Sequence, residues 1–218
     1  MIEGWHLFEE AVQAGVTIEK IFALESYRDQ LAAFPQTVWV SEDILLDLAD
    51  SQTPQGIVAV VQKEEVGQAD FSQGKFLFLE DVQDPGNVGT IIRTADAAGF
   101  TGVIVSDKSA DIYSLKTLRS MQGSHFHLPI YRMSSQAILE KAKEAGIPVL
   151  ATTLSKDSVD YRELPPIENF VLVMGNEGQG ISPLMAESAD QLVHICMKGQ
   201  AESLNVSVAA GILIFHLS

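Results

Sequence analysis

The chain has 218 residues, of which 46% are hydrophobic, and its formal charge is −15 at pH 7. This composition is typical of a globular protein with one large domain or two small ones, and no apolar run approaches the roughly 18 residues that span a bilayer. The single cysteine, Cys196, excludes an internal disulfide, and the acidity, taken alone, argues against nucleic acid as a partner.

Helices and strands alternate in the N-terminal part of the chain. Residues 1–5 lack the basic and apolar regions of a signal peptide, so we expect a cytoplasmic protein. Periodicity and capping residues predict helices at 5–14, 27–33 and 42–49, and strands at 21–24, 37–40 and 57–61. The polar and acidic segment 63–74 is predicted to be a linker between a small domain, 1–62, and a larger one, 75–218.

From residue 75 the alternation becomes more regular. Strands are predicted at 76–79, 103–105, 127–131, 148–152, 170–174 and 192–197, and helices at 87–98, 134–145, 183 onward and 206–217. Residues 109–124 are predicted to be irregular. Short apolar strands separated by helices of about ten residues indicate a parallel sheet covered on both faces. The last helix is apolar on nearly every side, so the fold or a second subunit must bury it.

The first candidate site is the loop and helix start at residues 80–93, Glu-Asp-Val-Gln-Asp-Pro-Gly-Asn-Val-Gly-Thr-Ile-Ile-Arg. On a helix that begins near Asn87, Gly89 and Arg93 share one face. The glycine would leave room above the helix for the Arg93 guanidinium, and the Asp-Pro-Gly-Asn turn exposes backbone N–H groups. The alternative is an exposed arginine on a solvated helix.

Two more candidate turns follow later strands, where open α/β sheets bind ligands. Residues 175–180, Gly-Asn-Glu-Gly-Gln-Gly, let a ligand approach the backbone, but their spacing is not that of a dinucleotide-binding loop, and a tight structural turn is an equal alternative. Residues 199–205 place Glu202, Ser203 and Asn205 at the start of the C-terminal helix, where Ser203 could simply be a cap.

The other polar residues carry weaker signals. His125 and His127 alternate on a predicted strand, and no third ligand has suitable spacing, so we expect no metal site. Cys196 lies in an apolar strand and is predicted to be buried rather than reactive. No serine, histidine and aspartate have the pattern of a hydrolase.

In this order, the three turns resemble the SpoU/TrmH family of RNA 2′-O-ribose methyltransferases, of the SPOUT superfamily. Asn87-x-Gly89-x-x-x-Arg93 is similar to the first family motif, residues 175–181 to the second, and residues 202–211, Glu-Ser-Leu-Asn-Val-Ser-Val-Ala-Ala-Gly, to the third. The resemblance covers residues 75–218. Residues before 63 resemble part of the small RNA-binding domain that often precedes this catalytic domain. A longer basic lead usually comes before Ile-Glu-Gly, here at residues 2–4, so the small domain is expected to be incomplete or the start codon misassigned.

The resemblance implies an α/β fold, a mostly parallel sheet with helices on both faces, that ends in a C-terminal trefoil knot. General topology rules would have rejected such a knot. In the family the knot binds S-adenosylmethionine, and two subunits pack through it, which would cover the apolar C-terminal helix of a homodimer. By family analogy, the cofactor is held at Leu154, Gly175, Asn176, Gly180, Ile195, Met197, Ser203 and Leu204.

The implied reaction transfers a methyl group to a ribose 2′-hydroxyl, which requires alignment and loss of the hydroxyl proton but no metal. The implied catalytic residues are Arg93, Asn87, Glu177, Ser203 and Asn205. Because the pKa of arginine exceeds about 12, we expect Arg93 to orient the hydroxyl and stabilise developing negative charge. A role of Arg93 as general base is the alternative, and an RNA phosphate could share the proton.

RNA binding conflicts with a chain that has 14 basic and 29 acidic residues. One explanation is a local basic lining of Arg93, Lys116, Arg119 and Lys198, with Arg132 as a further candidate. A second explanation is that an absent basic N-terminal segment once supplied the affinity. A third is that the protein binds RNA only weakly or not at all. The alternative functions are a non-catalytic RNA-binding or assembly protein that retains the fold, and a nicotinamide-dependent enzyme, which lacks its glycine fingerprint here. Whether the target is transfer RNA or ribosomal RNA stays open.

Overall fold

The computed structural model describes residues 1–49, 51, 53–63 and 66–218, and it contains two β-sheets. The N-terminal sheet has the strand order β1-β4-β2-β3, with only the β2–β3 pair parallel. Its elements are β1 (Ile2–Glu3), α1 (Trp5–Gln13), β2 (Ile18–Ala23), β3 (Thr37–Trp39), α2 (Glu42–Leu48) and β4 (Ile57–Val61). Asp50 and Gln52 of the predicted small domain, and Glu64 and Glu65 of the predicted linker, lie outside the described residues.

The second sheet has seven strands in the order β7-β6-β5-β10-β8-β11-β9, and every pairing in it is parallel. Its strands are β5 (Lys75–Leu79), β6 (Gly102–Val105), β7 (Ile130–Arg132), β8 (Val149–Thr152), β9 (Val159–Asp160), β10 (Phe170–Met174) and β11 (Gln191–His194). Its helices are α3 (Pro85–Ala97), α4 (Leu115–Met121), α5 (Ser135–Ala145), α6 (Pro183–Ser188) and α7 (Val206–Leu217). The predicted parallel sheet is confirmed.

Helices cover both faces of the large sheet. In β5, Leu77 and Leu79 pack in one apolar cluster with α3, α4 and α7, whereas Phe76 and Phe78 pack in a second cluster with α5 and α6. All four side chains are at most 1% exposed. Because neighbouring side chains of a strand point to opposite faces, burial of both faces explains why this strand is continuously apolar.

The segment between the two sheets contributes to this core. Ala69 and Phe71 are 7% and 4% exposed and pack in the cluster of α5 and α6, where the Phe71 and Phe76 ring centroids are 4.6 Å apart. Because most of their neighbours in the sequence are polar, the sequence pattern does not reveal these two buried apolar residues. The division into domains at residues 63–74 itself stays a prediction.

The prediction of a helix at residues 27–33 is wrong. A 3₁₀ turn at Glu25–Tyr27 is followed by turns up to residue 33. The rings of Tyr27 and Phe34 pack against Trp5 and Phe8 of α1, with centroid distances of 4.9 and 5.2 Å. Pro35 also restricts the residue before it to an extended backbone. Tertiary contacts therefore outweigh a weak helical pattern here.

Two predicted strands of the large sheet are displaced or shortened. The strand predicted at 127–131 begins only at Ile130, because Pro129 has no N–H to donate to a strand ladder. The two predicted strand histidines therefore do not alternate on one strand. The strand predicted at 192–197 ends at His194, because its ladder with β8 ends at Val193 and its ladder with β9 ends at His194. Cys196 lies beyond that end and is exposed, so its predicted burial is wrong.

The helices on one face of the large sheet also differ from prediction. Residues 109–124 are not irregular, since they contain α4, for which the Ser114 hydroxyl accepts the Thr117 N–H. Helix α3 begins at Pro85 rather than Asn87. The Asp84 carboxylate is its N-cap and accepts the Asn87 N–H at 2.9 Å.

Helix α4 contacts β1 of the N-terminal sheet, and the residues that follow α4 contact helix α1. Three polar contacts join the two parts of the chain in addition to shared apolar packing. They are the His6 ring with the Gln122 carbonyl (3.1 Å), Arg119 with Glu3 (3.8 Å), and His127 with Glu10 (3.0 Å). The N-terminal part is therefore docked on the same helix that packs against α3.

The C-terminal helix α7 is only partly covered. One side packs on the core, but Val208 and Phe215 are 51% and 59% exposed. With the half-buried Ile212 they are spaced four and three residues apart, so they form one stripe, which we call the α7 stripe. No helix within the described ranges is long and apolar enough to cross a membrane. The α7 stripe is thus an apolar surface that a single chain leaves uncovered.

Candidate active site

Four neighbouring strands of the large sheet end at one edge. Because β5, β10, β8 and β11 are adjacent and parallel, the segments that follow them lie side by side. These segments begin at Glu80, Gly175, Thr153 and Ile195. The direction in which successive strands are added to the sheet reverses here, since β6 and β7 extend the sheet on one side of β5 and β8 lies on the other side, beyond β10. In open parallel sheets such a reversal marks the crevice where ligands bind.

Glu177, in the turn after β10, holds the loop after β5. Its carboxylate accepts the backbone N–H groups of Gln83 and Asp84, each at 3.2 Å. It also accepts the side-chain amide of Asn87 at 3.1 Å. All three partners are donors, which suits an ionised carboxylate, an acceptor at both oxygens. Two of the predicted catalytic residues are therefore in direct contact.

Asn205 connects the third turn to the same residues. Its side-chain amide donates to the Asn87 Oδ1 at 3.1 Å. Its own Oδ1 accepts the N–H and the hydroxyl of Ser207 at 2.9 and 2.6 Å, and so caps α7. Asn87, Glu177 and Asn205, one residue from each sequence motif, thus form one hydrogen-bonded group, which we call the Asn87 cluster.

The carboxylates at this edge are held in their charged form. Partial burial of Glu177 raises its pKa, but the hydrogen bonds it accepts from backbone N–H groups and from Asn87 outweigh burial and lower the pKa below its ordinary 4.5. The pKa of Asp84 is lowered by its hydrogen bond from Lys116 and then by the Asn87 N–H. The loop is therefore held by charge-assisted hydrogen bonds at neutral pH.

The glycine turn after β10 is closed by its own backbone. Asn176 and Gly180 exchange two backbone hydrogen bonds of 2.9 Å. A Cβ at Gly175 would lie 2.4 Å from Gly180 C and from the Ile181 N. Gly180 has a φ of +70°, which favours glycine. These glycines are therefore required by the turn itself, whereas residues 177–180 present an exposed outer face to any ligand.

The Asn176 side chain has a structural role in that turn. Its Oδ1 accepts the N–H groups of Gly178 and Gln179 at 2.9 and 3.0 Å. Its amide donates to the Asp81 carbonyl at 2.8 Å and so ties the turn to the loop after β5. What Asn176 could offer a cofactor is therefore its backbone rather than its side chain.

Arg93 lies outside the Asn87 cluster. Its side chain is exposed on α3, about 9 Å along the helix axis from Asn87, and forms no hydrogen bond or ion pair with the described part of the chain. The expected room above Gly89 is absent, because a Cβ there would lie 2.5 Å from the Ser120 Cβ and 2.6 Å from the Thr117 carbonyl oxygen. Gly89 therefore serves close packing of α4 on α3, and Arg93 faces solvent, where a substrate can reach it.

The segment between β11 and α7 is open. Residues 196–204 form no hydrogen bond with any residue that the structure describes. Ser203 is exposed and does not cap α7, since Asn205 does, so the simple cap role is wrong. Leu204 is 37% exposed and Leu154, after β8, is 66% exposed. Ile195 and Met197 are half-buried. The predicted cofactor residues after β8 and β11 thus lie in two segments at the carboxyl edge, of which residues 196–204 form no hydrogen bond with the described chain.

Most basic side chains considered for RNA binding are paired. The paired side chains are Lys116 with Asp84 (2.9 Å), Arg119 with Glu3 (3.8 Å), and Arg132 with the Ser106 carbonyl (3.0 Å). Arg93 and Lys198 are exposed and form no ion pair in the ranges that the structure covers. Of the basic side chains considered, Arg93 and Lys198 are therefore the ones without a partner, and Lys156, in the segment after β8, is likewise exposed without an ion pair among the described residues.

A serine, a histidine and an aspartate meet near the end of β11, but not as a nucleophile with its base. Ser158 donates its proton to the Ser155 carbonyl at 2.6 Å, so the His194 Nδ1, 3.0 Å away, must be the donor to Ser158. Hydrogen bonds from Arg162 hold Asp160 and lower its pKa. Among the described residues, no group of three histidine, cysteine or acidic side chains is arranged to hold a metal ion.

The fold and the Asn87 cluster define an α/β protein with a candidate ligand site at the carboxyl edge of an open parallel sheet. The model of the SpoU rRNA Methylase family matches residues 74–215, and that of the MRM3-like substrate binding domain matches residues 1–59. The chain therefore belongs to the SpoU rRNA methylase family. The resemblance inferred from the three turns is confirmed, and a nicotinamide-dependent enzyme is excluded.

Relatives and solved structures agree with this assignment. The chain is 42% identical over 219 aligned residues to the 23S rRNA (guanosine(2553)-2′-O)-methyltransferase RlmP of Bacillus subtilis (strain 168), covering 100% of this chain and 87% of the relative. The AdoMet-bound rRNA methyltransferase from Sinorhizobium meliloti superposes with a TM-score of 0.89 at 34% identity, over 99% of this chain and 85% of that one. The AdoMet complex of AviRb from Streptomyces viridochromogenes gives 0.83 at 28% identity, over 99% and 88%.

Proposed function

We propose that this protein transfers a methyl group from S-adenosylmethionine to a ribose 2′-hydroxyl of 23S ribosomal RNA. The observation that carries the proposal is the Asn87 cluster, in which side chains 90 and 118 residues apart in sequence meet at the carboxyl edge of the sheet. Ribosomal RNA is favoured over transfer RNA because the RlmP relative, aligned over the whole chain, carries 23S rRNA in its name.

The open segment after β11 suits the cofactor. Leu154 and Leu204 offer exposed apolar side chains for the adenine ring, and the unbonded backbone of residues 196–204 offers N–H and C=O groups for its polar atoms. The residues proposed to hold the cofactor are Leu154, Gly175, Asn176, Gly180, Ile195, Met197, Ser203 and Leu204. When bound, S-adenosylmethionine supplies a methyl group that is already activated on a sulfonium.

Arg93 is the residue that we assign to the ribose. Its guanidinium is exposed and unpaired among the described residues, and an arginine side chain stays protonated in proteins. It therefore orients the hydroxyl and stabilises negative charge as the proton leaves, and an RNA phosphate can accept that proton. The Asn87 cluster holds the start of the helix that carries Arg93, and Ser203 faces the ribose from the open segment.

The α7 stripe supports a homodimer. Its first residue, Val208, lies three residues after Asn205, so a second copy seated on the stripe would also border the active site. The same patch meeting itself is the isologous arrangement of a C2 dimer. Burial of exposed Val208 and Phe215 side chains would stabilise that contact.

Three expectations accompany this proposal. A trefoil knot in the C-terminal segment would bring the turns at 175–180 and 199–205 together, and a crystal structure with bound S-adenosylhomocysteine would test it. The proposed domain boundary within residues 63–74 is supported by family matches that end at residue 59 and begin again at residue 74. We also propose a cytoplasmic location, where ribosomal RNA is available.

RNA binding must overcome the charge of the chain. Residues 1–62 contain ten acidic residues and only two basic ones, Lys20 and Arg28. The small domain therefore cannot supply phosphate neutralisation, and we assign this role to Arg93 and Lys198. With about two phosphate contacts, the logarithm of RNA affinity should fall with the logarithm of salt concentration with a slope of about −2.

The experiment begins with calorimetric titration of the purified protein with S-adenosylhomocysteine, with its mass in solution measured alongside. One site per subunit of a dimer is expected. Transfer of labelled methyl groups is then compared on 23S rRNA and tRNA transcripts, and alkaline hydrolysis locates the resistant 2′-O-methylated nucleotide. Cofactor binding without methylation of either RNA would contradict the proposal and favour a non-catalytic RNA-binding protein.

A further inference from the structure

Glu80 is a buried carboxylate without a role in the site as described so far. It follows β5 directly and is 3% exposed, whereas the other buried polar residues of the described chain are serines and a threonine. Burial of a charge is costly unless hydrogen bonds compensate for it. The partners of Glu80 should therefore show what the charge is retained for.

Both oxygens of Glu80 are occupied by donors from two helix starts. One oxygen accepts the Ser182 N–H at 2.8 Å. The other accepts the Ser182 hydroxyl at 2.8 Å and the hydroxyl of Ser135, the first residue of α5. The Ser182 hydroxyl in turn accepts the Met185 N–H at 3.1 Å and caps α6. One carboxylate thus connects the end of β5 with the starts of α5 and α6.

This connection reaches the glycine turn within two residues. Ser182 is separated from Gly180 only by Ile181, and the Gly180–Ile181 backbone is the part that packs against Gly175. On the other side, Asp81 follows Glu80 with a φ of +59°, which is uncommon for a residue other than glycine. The Asp81 carbonyl accepts the Asn176 side chain. Glu80 therefore lies where both sides of the turn are attached to the sheet.

We propose that Glu80 is a positioning residue that sets the turn at 175–181 for the cofactor. The inference rests on the proposed function, because that turn is one of the segments assigned to S-adenosylmethionine. Glu80 acts through Ser182, which holds the end of the turn. Its removal should raise the KM for S-adenosylmethionine more than it lowers kcat, since Arg93 lies outside the turn and Glu177 is held separately by its hydrogen bonds from Gln83, Asp84 and Asn87.

The test compares dissociation constants of S-adenosylhomocysteine for the full-length wild type, Glu80→Ala, Glu80→Gln and Ser182→Ala. Loss of hydrogen bonds to a charged acceptor in Glu80→Ala should weaken binding about tenfold or more. Glu80→Gln should weaken it less, because its carbonyl can still accept the Ser182 N–H. The double variant Glu80→Ala/Ser182→Ala should be weakened by less than the product of the two single effects.

Asp190→Ala is the matched control. The Asp190 carboxylate also accepts a backbone N–H of the large sheet, that of Val149 at 2.8 Å, but at the opposite edge, where β8 begins. This variant should lower the melting temperature while leaving the dissociation constant within about twofold of wild type. A merely structural role of Glu80 would produce the same pattern as Asp190→Ala.

The outcomes separate this inference from the proposed function. If the wild type binds S-adenosylhomocysteine and folded Glu80→Ala binds it with the same dissociation constant, the role of Glu80 is overturned while the proposed function stands. If Glu80→Ala does not fold, unchanged binding by both Glu80→Gln and Ser182→Ala would overturn it equally. If the folded wild type does not bind S-adenosylhomocysteine, the proposed function fails and this inference fails with it.

Discussion

The two sides of the candidate site are constructed in different ways. On the side of β5 and β10, Glu177 alone accepts three hydrogen bonds from the loop that precedes Arg93, and Asn176 makes further bonds within its turn. On the side of β8 and β11, residues 196–204 make none with the rest of the described chain, and Leu154 is 66% exposed. A bonded side thus faces an open side across one sheet edge.

The difference suggests a division of labour between the two sides. Groups that stabilise charge in a transition state are most effective when they are already in place, because no reorganisation is then needed during the reaction. The segment at residues 196–204 must admit a cofactor, and the helix that follows it, α7, carries an uncovered apolar stripe. Binding of the cofactor and of a second subunit can order this side, at a cost in conformational entropy. The bonded side would therefore set the rate, and the open side would set affinity and assembly.

The largest effect is expected from Arg93→Ala, which removes the group assigned to the reacting hydroxyl. Methyl transfer to RNA should fall by about 10²–10³-fold, because loss of one charge-stabilising donor has effects of this size. The dissociation constant of S-adenosylhomocysteine should stay within about twofold, since the Arg93 side chain forms no hydrogen bond or ion pair with the described residues of the open side. Single-turnover kinetics and calorimetry measure the two quantities, with Arg28→Ala in the small domain as control. Parallel loss of affinity and activity would contradict this role.

The next effect concerns the open side, where Phe215→Asp places a charge in the α7 stripe. Phe215 is 59% exposed in the single chain, and a charge buried without a partner in a dimer interface is strongly unfavourable. The dissociation constant of the dimer should rise about 100-fold, measured by analytical ultracentrifugation. Val12→Asp, at an apolar position of α1 that is 40% exposed, is the control. A wild-type protein that is already monomeric would refute the dimer.

A smaller, pH-dependent effect is expected from Glu177→Gln on the bonded side. Turnover should fall about tenfold, because an amide cannot accept all three hydrogen bonds. The pKa of Glu177 is lower in the folded protein than its ordinary 4.5, so its charge stabilises the fold above pH 4.5. That contribution is lost as the pH falls through the lowered value.

Urea unfolding of wild type and Glu177→Gln between pH 7 and pH 3 checks this expectation. The difference in free energy of unfolding should be constant above pH 4.5 and shrink below it. A difference that is the same at every pH would show that the charged form of Glu177 is not what stabilises the loop.

The smallest effect is expected at Asn205, which belongs to both sides. Asn205→Ala removes the cap of α7 and should cost about 1 kcal/mol of stability, seen in the melting temperature. Asn205→Ser keeps a good capping oxygen but loses the contact with Asn87. It should therefore retain stability while turnover falls several-fold. Equal loss of stability in both variants would mean that the contact between the two sides matters more for folding than for activity.

Much of the site could be predicted because its signals are local. A glycine-rich turn directly after an apolar strand, a helix with Asn87 and Arg93 in its first turns, and Asn205 before an apolar helix each involve a few neighbouring residues. Ser41 and Ser182 stand directly before predicted helices, and both accept a backbone N–H three residues later. Capping and turn formation depend on side chains within about four residues.

The tertiary structure decided everything that depends on a distant partner. The apolar run after Leu192 looks like one strand, but β11 ends at His194, because its ladder with β8 ends at Val193 and its ladder with β9 ends at His194. The sequence suggested that Gly89 leaves room for the Arg93 guanidinium, but in the structure α4 packs closely against Gly89. Glu80 carried no local signal, because the serines that satisfy its carboxylate are 55 and 102 residues away.

By itself, then, the sequence determined most of the parallel strands, the three turns of the candidate site and the family that the chain resembles. Strand periodicity and turn composition are properties of a few consecutive residues, so they can be recognised without a fold. Only the tertiary structure showed that Asn87, Glu177 and Asn205 bond to one another while Arg93 stands apart from them. Hydrogen bonds act over about 3 Å of space and are independent of separation along the chain.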